Sequence, residues 1–383
     1  MDAYNEERER QIHLLKMRRR NLRDTSDPFN VTYETFTKSY RLSQDLVFSL
    51  IELIQPFIAR RNSPLAVPLE LKVLAVLSFY ATGSYQRPTG CHFDCTIGQT
   101  TVSRFIDEIT DALNEEEVLA RLVRFPANDQ EINNSIVRNR SLGGKIDNVL
   151  GYTDGSLFKI RKPSVENNRQ AFIGRKNFAC INAQITCDRR LYVMNVLARY
   201  PGATTDSFIF EDSALRRRMV EIYNGRRCHL LGDVGYVLEP WMIIPFAGPE
   251  EDTPERRFNK CHCGDRNAVE RCIGVLKERF RFLHDDCVPH YDYVKVCKFV
   301  NCGVVLHNLC VLTNTPLYLD DLDEALLVNN NVNEERPEEF EEADDPEDPD
   351  PDVPIGRRNA AAVIALGHQV RREIVEELEA RRQ

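Results

Sequence analysis

The sequence predicts an α/β fold preceded by a helical region and followed by an acidic tail. Apolar residues recur at three- and four-residue spacing over residues 42–125, as on buried helix faces. Over residues 145–235 they form short strand-like runs that alternate with polar residues. Residues 320–352 have no apolar periodicity and are rich in Asp, Glu, Pro and Asn.

The helical region contains two apolar segments and a candidate helix-turn-helix. The first segment runs from Leu46 to Ile54 and the second from Leu71 to Tyr80. In residues 88–113, Gly98 precedes a helix with one apolar stripe, formed by Val102, Phe105, Ile106 and Ile109. The polar residues left outside are candidates for DNA contact, as on a recognition helix: Gln99, Thr100, Ser103 and Arg104. An ordinary helical hairpin is the alternative, and the residues alone favour it.

The α/β region is expected to hold four strands. They are predicted at residues 147–154, 177–188, 191–199 and 228–233, with a helix over 206–224 before the last strand. The first and the last strand each end in an acid, Asp154 and Asp233. Two further helices are predicted at 265–283 and 291–312.

The net charge is divided unevenly along the chain. It is −9 in total, but residues 320–352 carry −15 and residues 353–383 carry +2, so the remaining residues carry +4. A mildly basic body is compatible with nucleic-acid binding without requiring it. The segments are a basic arm (1–34), a helical region (35–140), an α/β core (145–315), a disordered acidic linker (316–358) and a short helix (359–383). Removing residues 318–383 is expected to leave the core folded.

The sequence favours an intracellular protein. It contains no run of eighteen apolar residues, and its first residues are charged instead of forming the apolar core of a signal peptide. The twelve cysteines are therefore expected to be reduced. The basic cluster from Lys16 to Arg23 is consistent with a nuclear-import signal or a phosphate contact, and equally with a solvated helix face.

Three acids stand in positions that suit a metal site. Asp154 is followed by Gly155, Asp233 is followed two residues later by Gly235, and Glu270 lies on a predicted helix. Cleavage of a phosphodiester is assisted by Mg²⁺ or Mn²⁺, which prefer carboxylate oxygens. Each acid also has an ordinary explanation: a turn residue, a strand-end cap, and an ion pair of Glu270 with Arg266.

Two cations accompany Glu270 on its helix. Arg266 precedes it by four residues and Lys277 follows it by seven, so all three fall in one narrow stripe. Cations beside a carboxylate site can hold a DNA backbone, and both are candidate phosphate contacts.

These motifs together resemble those of the PIF/Harbinger transposases, a family within the DDE superfamily of endonucleases. The resemblance runs from about residue 35 to residue 313. Its motifs follow one another in order: Gly-Tyr-Thr-Asp154-Gly, Pro201-Gly-Ala-Thr-Thr-Asp206-Ser, Leu-Leu-Gly-Asp233-Val-Gly-Tyr236, Pro245, Phe258-Asn259, and a helix from Arg266 through Glu270 and Lys277 to Phe280.

The resemblance implies a ribonuclease H-like core, a helical N-terminal region with a helix-turn-helix, and a divalent metal, Mg²⁺ or Mn²⁺. It implies Asp154, Asp233 and Glu270 as catalytic and metal-binding residues and adds Asp206 as a metal ligand. The alternative role for Asp206 is to cap a helix. Thr205 stands where the family usually has His, and Cys263 stands where related bacterial enzymes often have Tyr.

The resulting hypothesis is a metal-dependent DNA endonuclease of transposase origin, located in the nucleus and also in the cytoplasm. The family also implies a Myb-like DNA-binding partner protein, in keeping with the weak positive charge of the body. Whether the chain forms a homo-oligomer is left open. The alternatives are a domesticated DNA-binding or scaffolding protein that does not cleave, and an unrelated metal-dependent phosphohydrolase.

Overall fold

The computed structural model describes residues 2–25, 27–59, 66–83, 97–164, 168–287, 291–317 and 360–382. They fall into two compact units. The helical unit comprises the described parts of Met1–Leu122, Leu276–Pro289 and Lys298–Tyr318. The sheet unit comprises those of Val123–Val275, His290–Cys297 and Leu319–Gln383.

The helical unit begins with six helices: α1 (Asp2–Asp24), α2 (Tyr33–Tyr40), α3 (Gln44–Ile54), α4 (Leu69–Thr82), α5 (Gln99–Leu113) and α6 (Glu116–Leu122). Phe79 and Tyr80 of α4 pack against Phe282 and Phe299, with the rings of Tyr80 and Phe282 centred 4.5 Å apart. Aromatic contacts of this kind explain why later segments join a unit built mainly from the first part of the chain.

Helix α5 carries the polar residues proposed to contact DNA. Its predicted apolar stripe is confirmed, since Val102, Phe105, Ile106 and Ile109 are all buried. Residues 88–96, the first part of the predicted helix-turn-helix, lie outside the described residues. The structure therefore supports the helix, and the motif as a whole stays a prediction.

The sheet unit holds a mixed five-stranded sheet. Its strands are β1 (Val149–Lys159), β2 (Cys180–Cys187), β3 (Val193–Pro201), β4 (His229–Leu231) and β5 (Met242–Ile243), in the spatial order β3-β2-β1-β4-β5. The first three strands pair antiparallel, whereas β4 pairs parallel with both β1 and β5. This topology with its flanking helices is consistent with a ribonuclease H-like α/β core.

Six helices accompany the sheet or follow it in the chain: α7 (Asp129–Ser141), α8 (Asp206–Glu211), α9 (Ala214–Gly225), α10 (Pro254–Arg279), α11 (Tyr293–Leu312) and α12 (Ala360–Ala380). The last parts of α10 and α11 fall in the helical unit. Among the described helices, α11 alone is long and apolar enough to cross a membrane, but 61% of its most apolar window is buried inside the protein. Burial in a core accounts for that composition.

Three predicted boundaries are wrong. Strand β1 does not end at Asp154 but continues to Lys159, because β2 pairs with it along that length. The helix predicted over 206–224 is two helices, α8 and α9, with Ser213 capping the second. Helix α10 begins at Pro254 instead of residue 265. The two-residue strand β5 was not predicted.

Helix α12 is part of the sheet unit, and not a short helix separate from it. Val363, Gly367, Val370, Arg371, Ile374 and Val375 are buried. The Arg371 guanidinium lies 3.7 Å from the ring centre of Phe246, and it donates a hydrogen bond to the Pro245 carbonyl oxygen at 3.1 Å. Removal of residues 318–383 would expose this surface, and we therefore expect the truncation to destabilise the sheet unit.

Candidate active site

The register of the sheet places two of the predicted acids at the same level. Tyr152 of β1 pairs with Leu231, the last residue of β4. Asp154 and Asp233 each follow two residues later, where β4 leaves the sheet. The parallel register brings the two residues to the same level, beside the carboxyl end of β4. The acids were predicted to meet at strand ends, but Asp154 lies within β1 and only Asp233 follows the end of its strand.

Asp206 begins α8, and it does not cap that helix. The cap is Thr205, whose hydroxyl accepts the backbone N–H of Phe208. The capping alternative for Asp206 is therefore wrong, and the residue in the usual place of His has a local structural role. The Asp206 carboxylate instead accepts a hydrogen bond from the Asn182 amide of β2 at 2.7 Å.

Gly155 provides the space beside Asp206. A Cβ atom at this glycine would lie only 2.1 Å from the Asp206 Oδ1 atom. Because neighbouring residues of a strand face opposite sides of the sheet, Asp206 approaches β1 from the side opposite to the Asp154 side chain. Asp206 is therefore close to the other acids in space but does not share the side of the sheet with Asp154.

Glu270 lies on α10 and reaches Asp154 through Arg266. The Arg266 Nη1 atom is 3.0 Å from the Asp154 Oδ2 atom, and its Nη2 atom donates a hydrogen bond to Glu270 Oε1. The side chains of Arg266 and Asp154 are 13% and 18% exposed, and that of Glu270 is 47% exposed. The ion pair of Glu270 with Arg266 is thus present, and it includes Asp154.

We call these four acids, Asp154, Asp206, Asp233 and Glu270, the acid group; its member Asp154 is largely shielded from solvent. Burial raises the pKa of Asp154 to about 7; Arg266 opposes this shift, whereas Asp233, Asp206 and Glu270 add to it. Burial also raises the pKa of Asp206, although the hydrogen bond from Asn182 opposes the rise. Carboxyl groups with pKa values shifted in this way are typical of functional sites.

Tyr236 is a neighbour of the acid group that the sequence did not single out for a role. Its hydroxyl is buried and has no hydrogen-bond partner among the described residues. Burial raises its pKa well above the usual value, and Asp206, Asp154 and Asp233 add to the shift. Its presence in the motif after Asp233 was the only sequence signal for it.

The acid group fits a divalent cation in kind but not in arrangement. Carboxylate oxygens are the ligands that Mg²⁺ and Mn²⁺ prefer. Among the described residues, however, no three acids, histidines or cysteines are close enough together to hold an ion. Arg266 bonds both Asp154 and Glu270, and the close approach of Asp206 to Gly155 indicates that Asp206 lies on the other side of β1.

The remaining candidate residues lie in the helical unit. The Lys277 ammonium contacts the Asp285 carboxylate at 2.8 Å. On α5, Gln99, Thr100 and Arg104 are exposed and Ser103 is half-buried. Arg104 lies 3.5 Å from the hydroxyl of Thr101.

Asp265 is a functional candidate that sequence reasoning missed. It is fully buried on α10, directly before Arg266, and accepts the backbone N–H groups of Lys145 and Ile146, at 2.8 Å and 3.0 Å to its Oδ2 atom. The Arg189 guanidinium donates to its Oδ1 atom at 3.0 Å. These bonds fix the helix that carries Arg266 and Glu270 to the chain entering β1. An Asp beside an Arg in a polar helix gives no sequence signal of burial.

The cysteines provide no second metal site among the described residues. Cys261, His262 and Cys263 lie within α10, and the ring of His262 is bonded to the Ile243 carbonyl oxygen at 3.0 Å instead. The ten cysteines that the structure describes are not paired in disulfides.

Comparison with known proteins finds one family and several relatives. Residues 153–308 match the family described as DDE superfamily endonuclease. The human protein named "Putative nuclease HARBI1" is 29% identical over 283 residues, which cover 73% of this chain and 78% of the relative. The Xenopus laevis protein of that name is 25% identical over 284 residues, covering 74% and 79% of the two chains.

A relative with a different name is also found. "Protein ALP1-like" of Arabidopsis thaliana is 25% identical over 300 residues, which cover 73% of this chain and 70% of the relative. No solved structure matches. The family match includes Asp154, Asp206, Asp233 and Glu270 and ends before α12.

Proposed function

We propose that the chain, as a member of the Harbinger-derived nuclease family of the DDE superfamily, is a DNA endonuclease. It would act through the acid group. The observation that carries this proposal is the common level of Asp154 and Asp233 beside the carboxyl end of β4, with Glu270 of α10 linked to Asp154 through Arg266. The reaction proposed is hydrolysis of phosphodiester bonds. The sheet topology supports assignment of the core to the ribonuclease H-like class.

The proposed cofactor is a divalent cation, Mg²⁺ or Mn²⁺. Asp154 and Asp233 are proposed as its first ligands, with Glu270 as a further one. Asp206, on the other side of β1, is the fourth ligand that the family resemblance implies, and it would have to shift to reach the same ion. When bound, such an ion lowers the pKa of a water molecule and stabilises charge on phosphoryl oxygens. Arg266 and Lys277 are proposed to contact DNA phosphates, for which a guanidinium offers paired donors.

The test of this function is nicking of supercoiled plasmid by the purified chain with Mg²⁺ or Mn²⁺. Asp154→Asn, Asp233→Asn and Glu270→Gln are each expected to lower the rate roughly a hundredfold or more, because several kcal/mol of transition-state stabilisation are lost. Each change keeps the size of the side chain. Glu255→Gln, on the same helix as Glu270 but outside the acid group, serves as the control. Nicking by Glu270→Gln at the parental rate would contradict the assignment.

A second candidate is a domesticated protein that binds DNA without cleaving it. The contacts of Arg266 with both Asp154 and Glu270 favour it, since they engage acids that cleavage requires. Cys263 and Thr205 depart from the residues usual in related enzymes. DNA binding without nicking in Mg²⁺ and in Mn²⁺ would identify this second function. Cleavage of small phosphate esters with none of DNA would instead support a phosphohydrolase.

Site selection is proposed to depend on a Myb-like DNA-binding partner. The body carries only +4, and the exposed residues of α5, Gln99, Thr100 and Arg104, together with Ser103, offer one cation. Phosphate neutralisation supplies much of the affinity of DNA-binding proteins, so α5 is proposed to contact DNA and the partner to add most of the affinity. We propose the nucleus as the place of action, with a cytoplasmic pool.

Purification of the chain with its bound proteins from nuclear extract tests the partner. The recovered partner should strengthen DNA binding at physiological salt. Tight, sequence-selective binding by the purified chain alone would contradict the proposal.

A further inference from the structure

Arg266 bonds two members of the acid group at once. Its Nη1 atom lies 3.0 Å from Asp154 Oδ2, and its Nη2 atom is hydrogen-bonded to Glu270 Oε1. Arg266 and Glu270 are four residues apart on α10, which brings their side chains together on one face. Asp154 comes from the sheet, so this single guanidinium links the helix to β1.

These contacts engage one oxygen of Glu270 and, together with the Gly155 N–H at 2.9 Å, both oxygens of Asp154. A metal ligand offers a lone pair, and an oxygen that accepts an N–H bond from a cation is less available to offer one. Arg266 cannot remove the conflict by losing its proton, because a guanidinium stays charged in proteins. Arg266 and a divalent cation are therefore competitors for Asp154 and Glu270.

DNA would offer Arg266 an alternative partner. A phosphate presents two oxygens in a geometry that matches the paired donors of a guanidinium, as a carboxylate does. Glu270, the outer of the two acids bonded to Arg266, is 47% exposed, so this end of the ion-paired group lies at the surface. A phosphate that arrived there could take over the donors now used by Glu270 and Asp154.

We infer that Arg266 exchanges between the acid group and a DNA phosphate, and that metal and DNA therefore bind cooperatively. Without DNA, Arg266 weakens metal binding; with DNA, it leaves the acids and a cation can occupy them. This inference rests on the proposed function. It adds a form of regulation to that function, because the metal site would be completed only when DNA is bound. Two ligands coupled in this way raise each other's affinity by the same factor, commonly about 5- to 150-fold.

The test measures Mn²⁺ binding to the full chain and not cleavage. Free Mn²⁺ is followed by electron paramagnetic resonance, with and without a short DNA duplex, and the duplex alone provides the blank. Arg266→Gln should bind Mn²⁺ about tenfold or more tightly than the parent without DNA. DNA should increase the affinity of the parent and change that of Arg266→Gln much less.

Three further variants make the test specific. Arg256→Gln removes an exposed ion-paired arginine of the same helix and should bind Mn²⁺ like the parent. Arg266→Lys keeps the charge but loses the paired donors, so it should lie between the parent and Arg266→Gln. The added affinity should disappear in the double variant Arg266→Gln, Asp154→Asn, which locates the ion at the acid group.

Equal or weaker Mn²⁺ binding by folded Arg266→Gln without DNA would overturn the inference. If that variant does not fold, failure of Arg266→Lys to bind more tightly than the parent would do so. An unchanged affinity of the parent on adding DNA would also contradict it. Plasmid nicking is measured separately. If the parent shows the coupling between Mn²⁺ and DNA but never nicks DNA, the inference about Arg266 stands and the proposed endonuclease function is wrong.

Discussion

Asp265 shows how one buried side chain can determine the geometry of a site that it does not itself form. Its carboxylate is fully buried and is held by the backbone N–H groups of Lys145 and Ile146 and by the Arg189 guanidinium. All of these hydrogen-bond donors therefore share one acceptor group, the negatively charged Asp265 carboxylate. Removal of that charge leaves the guanidinium and the N–H groups buried with a poorer acceptor, which is more costly than the loss of a surface pair.

We expect Asp265→Asn to destabilise the sheet unit by about 3–5 kcal/mol, the usual cost of breaking a buried ion pair. Denaturant unfolding of the full chain measures this change. Glu251→Gln removes an exposed acid paired with Arg256 and should change the stability by less than about 0.5 kcal/mol. Equal stabilities of the two variants would show that Asp265 is replaceable.

His229 should make folding sensitive to acid. Burial lowers its pKa to about 4, and Arg227 adds to the shift, although the hydrogen bond between its Nδ1 atom and the Pro240 carbonyl oxygen opposes it. The unfolded chain has the ordinary value of about 6.5 and so binds the proton more readily. The contribution of His229 to the free energy of unfolding is therefore fully present above about pH 6.5. It is lost as the pH is lowered from about 6.5 towards 4, and the loss amounts to up to about 3 kcal/mol.

His229→Asn provides the comparison, because an asparagine amide can donate to the Pro240 carbonyl but does not titrate. Unfolding free energies measured at several pH values should show a smaller acid loss in the variant than in the parent. The same pH dependence in both proteins would assign the acid sensitivity to other groups.

At the scale of elements, the pattern of apolar residues predicted the helices and strands that are long and periodic. The buried stripe of α5 and the strand β2 follow from side-chain periodicity, and β3 follows from a mostly apolar run. The end of β1 could not be predicted, since whether a strand continues past Asp154 depends on its partner β2. Strand β5 has two residues, Met242 and Ile243, too few for any period. Asp206 and Thr205 are neighbours that both suit a cap, and only the structure shows that Thr205 is the one that caps.

Prediction from sequence has the same limit at α12. Its sequence predicts a helix but does not predict the surface on which the helix packs. A Cβ atom on Gly367 would lie 3.1 Å from the side chain of Leu238 and 3.2 Å from the backbone of Glu239. Gly367→Val should therefore weaken the packing of α12 and lower stability by about 1–3 kcal/mol. Thermal unfolding and protease sensitivity of α12 measure it.

Gln369→Val is the matched control, since it introduces the same side chain at an exposed position of the same helix. Helix propensity alone predicts the opposite order, because Val is a better helix former than Gly and a poorer one than Gln, so a larger loss at Gly367 would report the close contact. If both variants melt like the parent, α12 does not depend on the packing at Gly367.

At the scale of the whole molecule, charge is separated along the chain. Residues 320–352 carry sixteen acids and one arginine, whereas the residues before them carry +4. Between these acids and the chain end lies α12, which packs on the sheet unit through buried residues. The acidic segment is therefore joined at both ends to parts of the chain that the structure describes.

The last prediction is that this charge weakens binding to DNA. Replacement of the sixteen acids of residues 320–352 by Asn and Gln changes the net charge from −9 to +7 and leaves α12 intact, so it avoids the instability expected from truncation. Removing a like-charge repulsion should increase non-specific DNA affinity at low salt, and the gain should shrink as salt screens it. Titration of a labelled duplex at several salt concentrations measures both effects. A variant with parental affinity at low salt would mean that the segment's charge does not reach the DNA, and the small positive charge of the body would then itself limit binding.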